Sequence, residues 1–583
     1  MSDPGGVPTE GGEPKFPHAN AVAVQAFAGV LASTVGPRST EKMVINALAT
    51  RSEPQGGNEP VDEVVVTGDG ATLLEALPSE HPIAPIVLRL IGPERKGETD
   101  TEGERVPDGI ATTVVLTGSL LDGATELIDE GLHPYDVRRG YAAAQEVALD
   151  ALEGAARPLE GFADPAGAAR SVARSAMTGN DVGGFADRWA GLAVEAVDLV
   201  GMPDEETFAV RAVSRGSIEE SRLVRGAVLP KDHRVTEAMP RRVEDATVLV
   251  LGGYKRALSD PDAWTDNVHI EMSSPDDADE MEAVYAGRRR EVVARMERLG
   301  VDAVFARLGI SDDYIRLLEE KGIVGIRGVN RITLRQVALA TGAGLVKDPS
   351  AFEAEDLGHA GVVEEVMREP RRGRRKNRFM TVVDGCESPR SVAALLHGIT
   401  DQIADQATAE IRKAAAAVAA ARGESTHVPG VVPGGGAAEL RMASAVREAA
   451  AAEGSRAALA MDAYADALES VVAALVANGG GDRIGTLADL RAAHADGLPD
   501  AGYLLPAGEV ASATDAGVLD PVSYKRRMIA GATDVADLIA RIDDAVDATF
   551  TEEPSGPEDA IYDEEAEKHM DYLDNEETTS RWD

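Results

Sequence analysis

Two Ala-rich helical stretches enclose a section in which strands alternate with helices, and this order constrains the fold most. Residues 19–155 and 395–550 carry apolar residues at helical spacing, the first with one short strand pair. Residues 208–365 contain β-prone runs such as FAVRAV, ATVLVLG and AVFARLG. Because 583 residues exceed what one hydrophobic core supports, we predict several domains. The order of helical and strand-containing sections makes α+β the predicted fold class. The simplest arrangement inserts an α/β domain into a helical domain that both chain ends build.

The charge of the chain restricts its partners. The formal net charge is −42 at pH 7, and such a surface repels nucleic-acid phosphates and anionic lipid. We therefore expect neither nucleic acid nor a membrane as a partner. The N-terminus lacks the basic and apolar regions of a secretory signal, so cytoplasm is the expected compartment. We interpret the acidity as adaptation to concentrated salt, in preference to the alternative of an acidic protein encoded by GC-rich bacterial DNA.

Three other features are interpreted as structural. Cys386 is the only cysteine, which excludes an intrachain disulfide and a zinc site of several thiolates. Nothing near it in sequence would lower its pKa, so we expect a packed thiol rather than a nucleophile. His133 precedes a proline between two helices and is expected to stabilise that turn. The basic run at 371–378 is flanked by acidic residues, which favours a solvated loop or an ion-pair cluster over a nucleic-acid site.

About a dozen short motifs, in one order along the chain, resemble those of the thermosome subunits, which are group II (TCP-1-like) chaperonins. They run from TVGPRSTEKMV, TGDGATLLEAL and PDGIATTVVLTGSLL near the N-terminus to PGGGAAELR, GVLDP and ARIDDAV near the C-terminus. Each motif alone is unspecific, but their common order over about residues 19–550 is hard to obtain by chance. With the acidic composition, the chain resembles a divergent haloarchaeal paralogue of this family.

The resemblance implies a ring subunit with three domains. These are a mainly helical equatorial domain from both chain ends, an intermediate hinge domain, and an inserted α/β apical domain whose helical protrusion acts as a lid. The predicted segments are a flexible lead at 1–18, the equatorial domain at 19–145 and 398–550, the intermediate domain at 146–210 and 366–397, the apical domain at 211–365 with its protrusion at about 255–285, and an acidic disordered tail at 551–583. Exposed apolar residues can bind unfolded proteins. Internal packing explains the candidates equally well, and these are Trp264, Val268, Ile270 and Met272.

The resemblance also implies a site for ATP or ADP with Mg²⁺. Such a site needs backbone N–H groups for the phosphates, a carboxylate for the metal ion and a carboxylate that orients water. Asp108 is the expected Mg²⁺ ligand. Asp69 is the candidate catalytic residue, although an isolated Asp-Gly pair is usually a turn. For Asp520, a simple Asp-Pro turn is an equal alternative. The residues expected to contact nucleotide are Thr34, Val35, Gly36, Pro37, Gly68, Gly70, Asp108, Gly109, Ile110, Ala111, Thr112, Lys413, Gly435, Asn478, Asp482 and Asp520.

This sequence departs from the family pattern at two places. The family has three threonines after the Asp-Gly pair, and here Ile110 and Ala111 replace two of them. In the helix of GITDQIADQATAEIRKAAAAV, Lys413 occupies the position of the water-orienting Asp. The apolar positions that support this register are Ile399, Ile403, Ala407 and Ile411. An ammonium cannot accept a proton from water, so we predict slow or absent hydrolysis. We expect Lys413 to contact the γ-phosphate or pair with Asp69, with a solvated surface lysine as the alternative.

Together these observations predict a chaperonin-like subunit that binds non-native proteins in a homo- or hetero-oligomeric ring with paralogues. We expect nucleotide binding with weak or lost hydrolysis. Two alternatives remain open at this point. One is a scaffold protein that keeps the chaperonin shape without activity, and the other is an inactive partner within a mixed ring.

Overall fold

The structure is a computed structural model that describes residues 16–542 with short gaps. The gaps are residues 39, 47–49, 53–57, 61–62, 78–80, 92–107, 178–184, 231–233, 254–257, 259–274, 368–378, 400 and 425–427. The predicted acidic tail, the basic run at 371–378 and the client-binding candidates Trp264, Val268, Ile270 and Met272 therefore lie outside the described residues. Residues 17–541 form one compact unit.

Helices form where apolar residues recur at a period near 3.6. In chain order they are α1 Phe16–Ala32, α2 Gly70–Ala76, α3 Ala84–Leu88, α4 Ile110–Asp129, α5 Pro134–Ala155, α6 Pro165–Ala176, α7 Ala186–Val200, α8 Pro275–Arg298, α9 Asp312–Lys321, α10 Arg331–Thr341, α11 Asp401–Arg422, α12 Ala437–Ala452, α13 Ala457–Asn478, α14 Arg483–Ala495 and α15 Val522–Ala540. Because α1 begins at Phe16, the last three residues of the predicted flexible lead are helical. No helix in the described part of the chain is long and apolar enough to cross a membrane.

Strands occupy the β-prone runs. In chain order they are β1 Lys42–Asn46, β2 Thr50–Ser52, β3 Asn58–Pro60, β4 Glu63–Thr67, β5 Phe208–Val213, β6 Arg222–Val224, β7 Ala227–Leu229, β8 Arg242–Leu251, β9 Ala303–Ala306, β10 Val324–Ile326, β11 Leu345–Val346, β12 Gly358–Met367, β13 Phe379–Asp384, β14 Val392–His397, β15 Val431–Pro433, β16 Ala501–Leu504, β17 Glu509–Ser512 and β18 Leu519–Pro521. β1 pairs with β4 and β2 pairs with β3, so the first segment contains a second strand pair that the sequence did not indicate.

The middle of the chain forms a seven-stranded mixed sheet in the order β10-β9-β8-β12-β13-β7, with β11 beside β8. Successive residues of β8 enter different cores: Val248 and Val250 pack on the side of α10, whereas Leu249 packs on the side of α8 and α9. A strand buried on both faces reads as a continuous apolar run, which explains ATVLVLG. The helix α8 begins at Pro275, so the C-terminal part of the predicted polar insertion is helical.

A three-stranded sheet, in the order β5-β14-β6, shares a core with α6, α7 and α11. Trp189 of α7 and Phe208 of β5 are among its largest fully buried side chains. The buried face of α11 is mainly alanine, which allows α6 and α7 to approach it closely. This core therefore unites segments that precede and follow the seven-stranded sheet in the sequence. The predicted domain boundaries stay predictions.

The N- and C-terminal segments build one helical core from α4, α5, α12, α13 and α15. The Tyr141 and Tyr464 rings meet edge to face, with centroids 5.5 Å apart. The Tyr141 hydroxyl donates to the Leu120 carbonyl, and the Tyr464 hydroxyl lies 2.7 Å from Thr533 Oγ1. The predicted α+β fold class is thus confirmed, including a helical core that both halves of the chain form.

Cys386 and His133 have the structural roles expected. The Cys386 residue is 2% exposed, and burial together with the charge of Asp384 raises the pKa of its thiol to about 12. His133 Nδ1 accepts a hydrogen bond from the Tyr135 N–H at 3.1 Å and caps α5.

Candidate nucleotide site

A cavity of about 930 Å³ lies where the loops before α2, α4, α12 and α15 meet the loop after α1 and the middle of α11. The candidate catalytic residue Asp69 and most of the residues predicted to bind nucleotide line its wall. They are Thr34, Val35, Gly36, Pro37, Gly68, Asp69, Gly70, Asp108, Gly109, Ile110, Ala111, Thr112, Lys413, Gly435 and Asp520. The fold therefore brings together at one cavity residues from both ends of the sequence.

Two helix N-termini open onto this cavity. α4 follows Gly109 and α12 follows Gly436, and both glycines have a left-handed backbone, with φ of 89° and 86°. Neither helix has a side-chain cap in the described part of the chain. The first-turn N–H groups of an uncapped helix and its macrodipole favour an anion. The two helices thus provide the backbone donors that phosphate groups need.

The loop before α2 is pressed against the first turn of α4. A Cβ atom at Gly70 would lie 2.8 Å from the Ala111 backbone nitrogen, so this position accepts only glycine. The neighbouring Asp69 caps α2, because its Oδ2 accepts from the Thr72 N–H at 2.9 Å and from the Thr72 hydroxyl at 3.0 Å. The turn role considered for Asp69 is therefore present, and its other carboxylate oxygen is left for a contact in the cavity.

That contact is with Lys413. The Lys413 Nζ atom lies 2.9 Å from Asp69 Oδ1 and 3.8 Å from Glu410 Oε1. Burial lowers the pKa of Lys413, but the negative charges of Asp108, Asp69 and Glu410 outweigh burial and hold its pKa above the ordinary value. The side chain is only 18% exposed, so the alternative of a solvated surface lysine is wrong. Of the two contacts expected, the ion pair with Asp69 is present.

The two aspartates at this end of the cavity have opposite electrostatic settings. Burial raises the pKa of Asp69, but the Lys413 charge and the Thr72 hydrogen bonds outweigh it, so the pKa lies below its ordinary value. For Asp108, burial outweighs the Lys413 charge and the Gly109 N–H, and the pKa lies above its ordinary value. The negative charge of Asp108 is thus less well compensated than that of Asp69.

The donor set around Asp108 fits Mg²⁺. No group of three or more His, Cys, Asp or Glu side chains in the described ranges could hold a metal ion alone. Mg²⁺ characteristically takes one or two carboxylates and completes its octahedron with phosphate oxygens and water. A single carboxylate beside the uncapped N-terminus of α4 meets that requirement, and Asp108 would be its protein ligand.

The register of α11 differs from expectation at one position. Ile399 precedes the helix, and Ala407 and Ile411 are fully buried as predicted, but Ile403 is 40% exposed. Ala404 faces the core instead. The helix begins only at Asp401, and its packing against α6 and α7 sets which face is buried.

The other end of the cavity holds an ion cluster that the sequence analysis missed. Lys525 Nζ lies 2.6 Å from Glu439 Oε1 and 3.0 Å from Asp520 Oδ2. Burial lowers the pKa of Lys525, but the two acids outweigh it and hold the pKa above its ordinary value. A Cβ at Gly434 would lie 3.0 Å from Asp520 Oδ2, so the carboxylate is held between backbone and ammonium. The sequence signal that could have revealed this cluster is Glu439, an acidic residue in the otherwise apolar first turn of the helix after the PGGG motif.

Two predicted residues are not among the described residues that line the cavity. Asn478 Nδ2 donates to the Ala32 carbonyl at 2.7 Å and to the Val35 carbonyl at 2.8 Å. Asp482 caps α14 by accepting from the Ile484 N–H. Asn478 therefore fixes the loop after α1, which does line the cavity, and nucleotide contact by these two side chains stays a prediction.

Comparison with known proteins identifies the family of this chain. The TCP-1/cpn60 chaperonin family matches residues 27–549. Thermosome subunit alpha of Archaeoglobus fulgidus is 33% identical over 548 residues, which cover 92% of this chain and 93% of that protein. A thermosome subunit of Methanopyrus kandleri is 33% identical over 539 residues, 91% of each chain. Thermosome subunit 1 of Haloferax volcanii is 32% identical over 535 residues, 91% of this chain and 88% of that protein. The resemblance is thereby confirmed, and the chain belongs to the TCP-1/cpn60 chaperonin family.

Proposed function

We propose that this chain is a thermosome-like chaperonin subunit that binds nucleotide with Mg²⁺, hydrolyses ATP slowly or not at all, and binds non-native proteins within a ring. Membership of the family supports the chaperonin part. The observation that carries the proposal of slow hydrolysis is the 2.9 Å ion pair between Lys413 and Asp69 on the cavity wall. The family has a water-orienting carboxylate where this chain has the ammonium.

The residues present would divide the work of nucleotide binding. The first turns of α4 and α12 donate N–H groups to phosphate oxygens, and the Asp520 carboxylate accepts from ribose hydroxyls. Asp108 would hold Mg²⁺, which when bound neutralises phosphate charge. These groups bind and orient the nucleotide without needing a general base.

Hydrolysis lacks its proton acceptor in this arrangement. Lys413 can only donate hydrogen bonds. Both carboxylate oxygens of Asp69 are engaged, one by Lys413 and the other by Thr72. Glu410 is 1% exposed and therefore shielded from an attacking water. A missing general base lowers rates by about 10²–10⁴-fold, which is the basis for slow hydrolysis.

The relatives bear on assembly. Archaeoglobus fulgidus has proteins named thermosome subunit alpha and thermosome subunit beta, and both are 33% identical to this chain. A subunit with slow hydrolysis can work beside active paralogues, so we propose a ring of identical or paralogous subunits. The net charge of −42 supports a partner set without nucleic acid or membrane.

The test combines three measurements on the purified full chain in concentrated KCl. We expect ATP binding at equilibrium, suppressed aggregation of a chemically denatured client, and phosphate release close to the background without protein. Phosphate release at the rate of an active thermosome assayed in parallel would overturn the slow-hydrolysis proposal. Ordered assembly without ATP binding or client protection would identify a scaffold.

A further inference from the structure

The cavity charge differs by two units between a chain with lysine at position 413 and one with aspartate there. An aspartate there would place another negative charge beside Asp69, Asp108 and Glu410, whereas Lys413 adds a positive one. The difference equals the charge of one Mg²⁺ ion. The inference below rests on the proposed nucleotide binding and concerns how that binding depends on metal.

The ammonium lies where it can compensate the acids of the cavity. Lys413 Nζ is 2.9 Å from Asp69 and 3.8 Å from Glu410, and the negative charge of Asp108 also raises its pKa. Because the side chain is only 18% exposed, these interactions are screened much less by salt than those of a surface pair.

We propose that Lys413 is a built-in counter-cation, so that this site binds a nucleoside triphosphate whether or not Mg²⁺ is present. With an aspartate at position 413, the phosphates and carboxylates would repel each other unless a metal ion separated them. Here one acid is neutralised internally, and the uncapped first turns of α4 and α12 supply donors to the phosphates.

The experiment measures the dissociation constant for ATP by isothermal titration calorimetry, once with excess MgCl₂ and once with EDTA, in concentrated KCl. For the natural chain we expect the two constants to agree within about threefold. For Lys413→Asp and Lys413→Met, EDTA should weaken binding by at least about tenfold. Circular dichroism verifies folding, and Lys413→Met gives the answer if the aspartate variant does not fold.

A matched control separates the local effect from net charge. Lys321→Asp changes the net charge of the protein by the same amount as Lys413→Asp. Lys321 pairs with Glu297 at 2.8 Å and is not among the described residues that line the cavity. This variant should behave as the natural chain does.

Each outcome decides between the claims. Binding by the natural chain with MgCl₂ but not with EDTA overturns the counter-cation and leaves the proposed nucleotide binding intact. Metal-independent binding that persists in both Lys413 variants overturns the role of Lys413. Failure of the natural chain and the variants to bind ATP under either condition overturns the proposed nucleotide binding together with this inference.

Discussion

The Lys413 ammonium and the Asp69 carboxylate, 2.9 Å apart, join the middle of α11 to the loop before α2. α11 belongs to the core shared with β5 and β14, whereas α2 packs against α4. The ion pair therefore links two cores of the molecule at the wall of the cavity.

Restoring an acid at this position should restore hydrolysis. Lys413→Asp removes the ammonium and supplies a carboxylate that can orient water. We expect steady-state phosphate release to rise at least about tenfold, part of what a general base contributes, because Ile110 and Ala111 still lack hydroxyls. Lys321→Asp is the control. An unchanged rate in a Lys413→Asp protein that still binds ATP would contradict the account.

A methyl group at Gly434 should weaken ribose recognition. Its Cβ would lie 3.0 Å from Asp520 Oδ2 and 3.0 Å from Val518 Cγ1, so the carboxylate must shift. The measurement is the dissociation constant of the 2′,3′-dideoxy analogue of ADP divided by that of ADP. We expect Gly434→Ala to lower this ratio by at least about threefold. Gly454→Ala is the control, because nothing within 4 Å of Gly454 would meet the added methyl. An unaltered ratio in Gly434→Ala would show that Asp520 does not bind the ribose hydroxyls.

The buried Lys525 should stabilise the fold through its ion pairs with Glu439 and Asp520. Lys525→Met leaves Glu439, which is 1% exposed, without its counter-charge, and breaking a buried pair costs about 3–5 kcal/mol. We expect a midpoint of thermal unfolding at least about 2 °C lower by calorimetry. The double variant with Glu439→Leu should recover much of this loss, because it removes the unpaired charge. A double variant less stable than Lys525→Met would contradict this explanation.

The acid stability of the helical core should depend on Glu469. Burial raises its pKa, but hydrogen bonds from Arg447 and Arg491 outweigh burial and place the pKa below the ordinary value of 4.5. A lowered folded-state pKa stabilises the protein above the unfolded-state pKa, and this contribution is lost as the pH falls through the folded-state pKa.

Glu469→Gln should therefore lower the midpoint of thermal unfolding near neutral pH, and its difference from the natural chain should shrink below about pH 4.5. Calorimetric scans of both proteins over decreasing pH provide the measurement. A difference that grows as the pH falls would have the wrong sign.

Local pattern allowed the sequence to predict much of this molecule. The apolar run ATVLVLG predicted a strand, and β8 forms there. The run is continuously apolar because both faces of its sheet are covered. Gly70 and Asp108 were expected at one site because their motifs resemble those of the family, and both line the cavity.

What the sequence could not predict depends on contacts between distant residues. Glu439 and Lys525 are 86 positions apart. They meet because β15, which precedes α12, pairs with β18, which precedes α15. The exposure of Ile403 depends on where α11 meets α6 and α7, which helical periodicity alone leaves open. The hydrogen bonds of the Asn478 amide to the loop after α1 could not be foreseen either, and its contact with nucleotide stays a prediction.

The most direct test of the account identifies the nucleotide that the protein retains. The natural chain is incubated with ATP and MgCl₂, separated from free nucleotide by gel filtration, and extracted with acid for chromatography. Slow hydrolysis caused by Lys413 predicts that the bound nucleotide is recovered as ATP, whereas Lys413→Asp yields mainly ADP. Recovery of ADP from the natural chain would contradict the claim that the Lys413–Asp69 pair has replaced the hydrolytic acid.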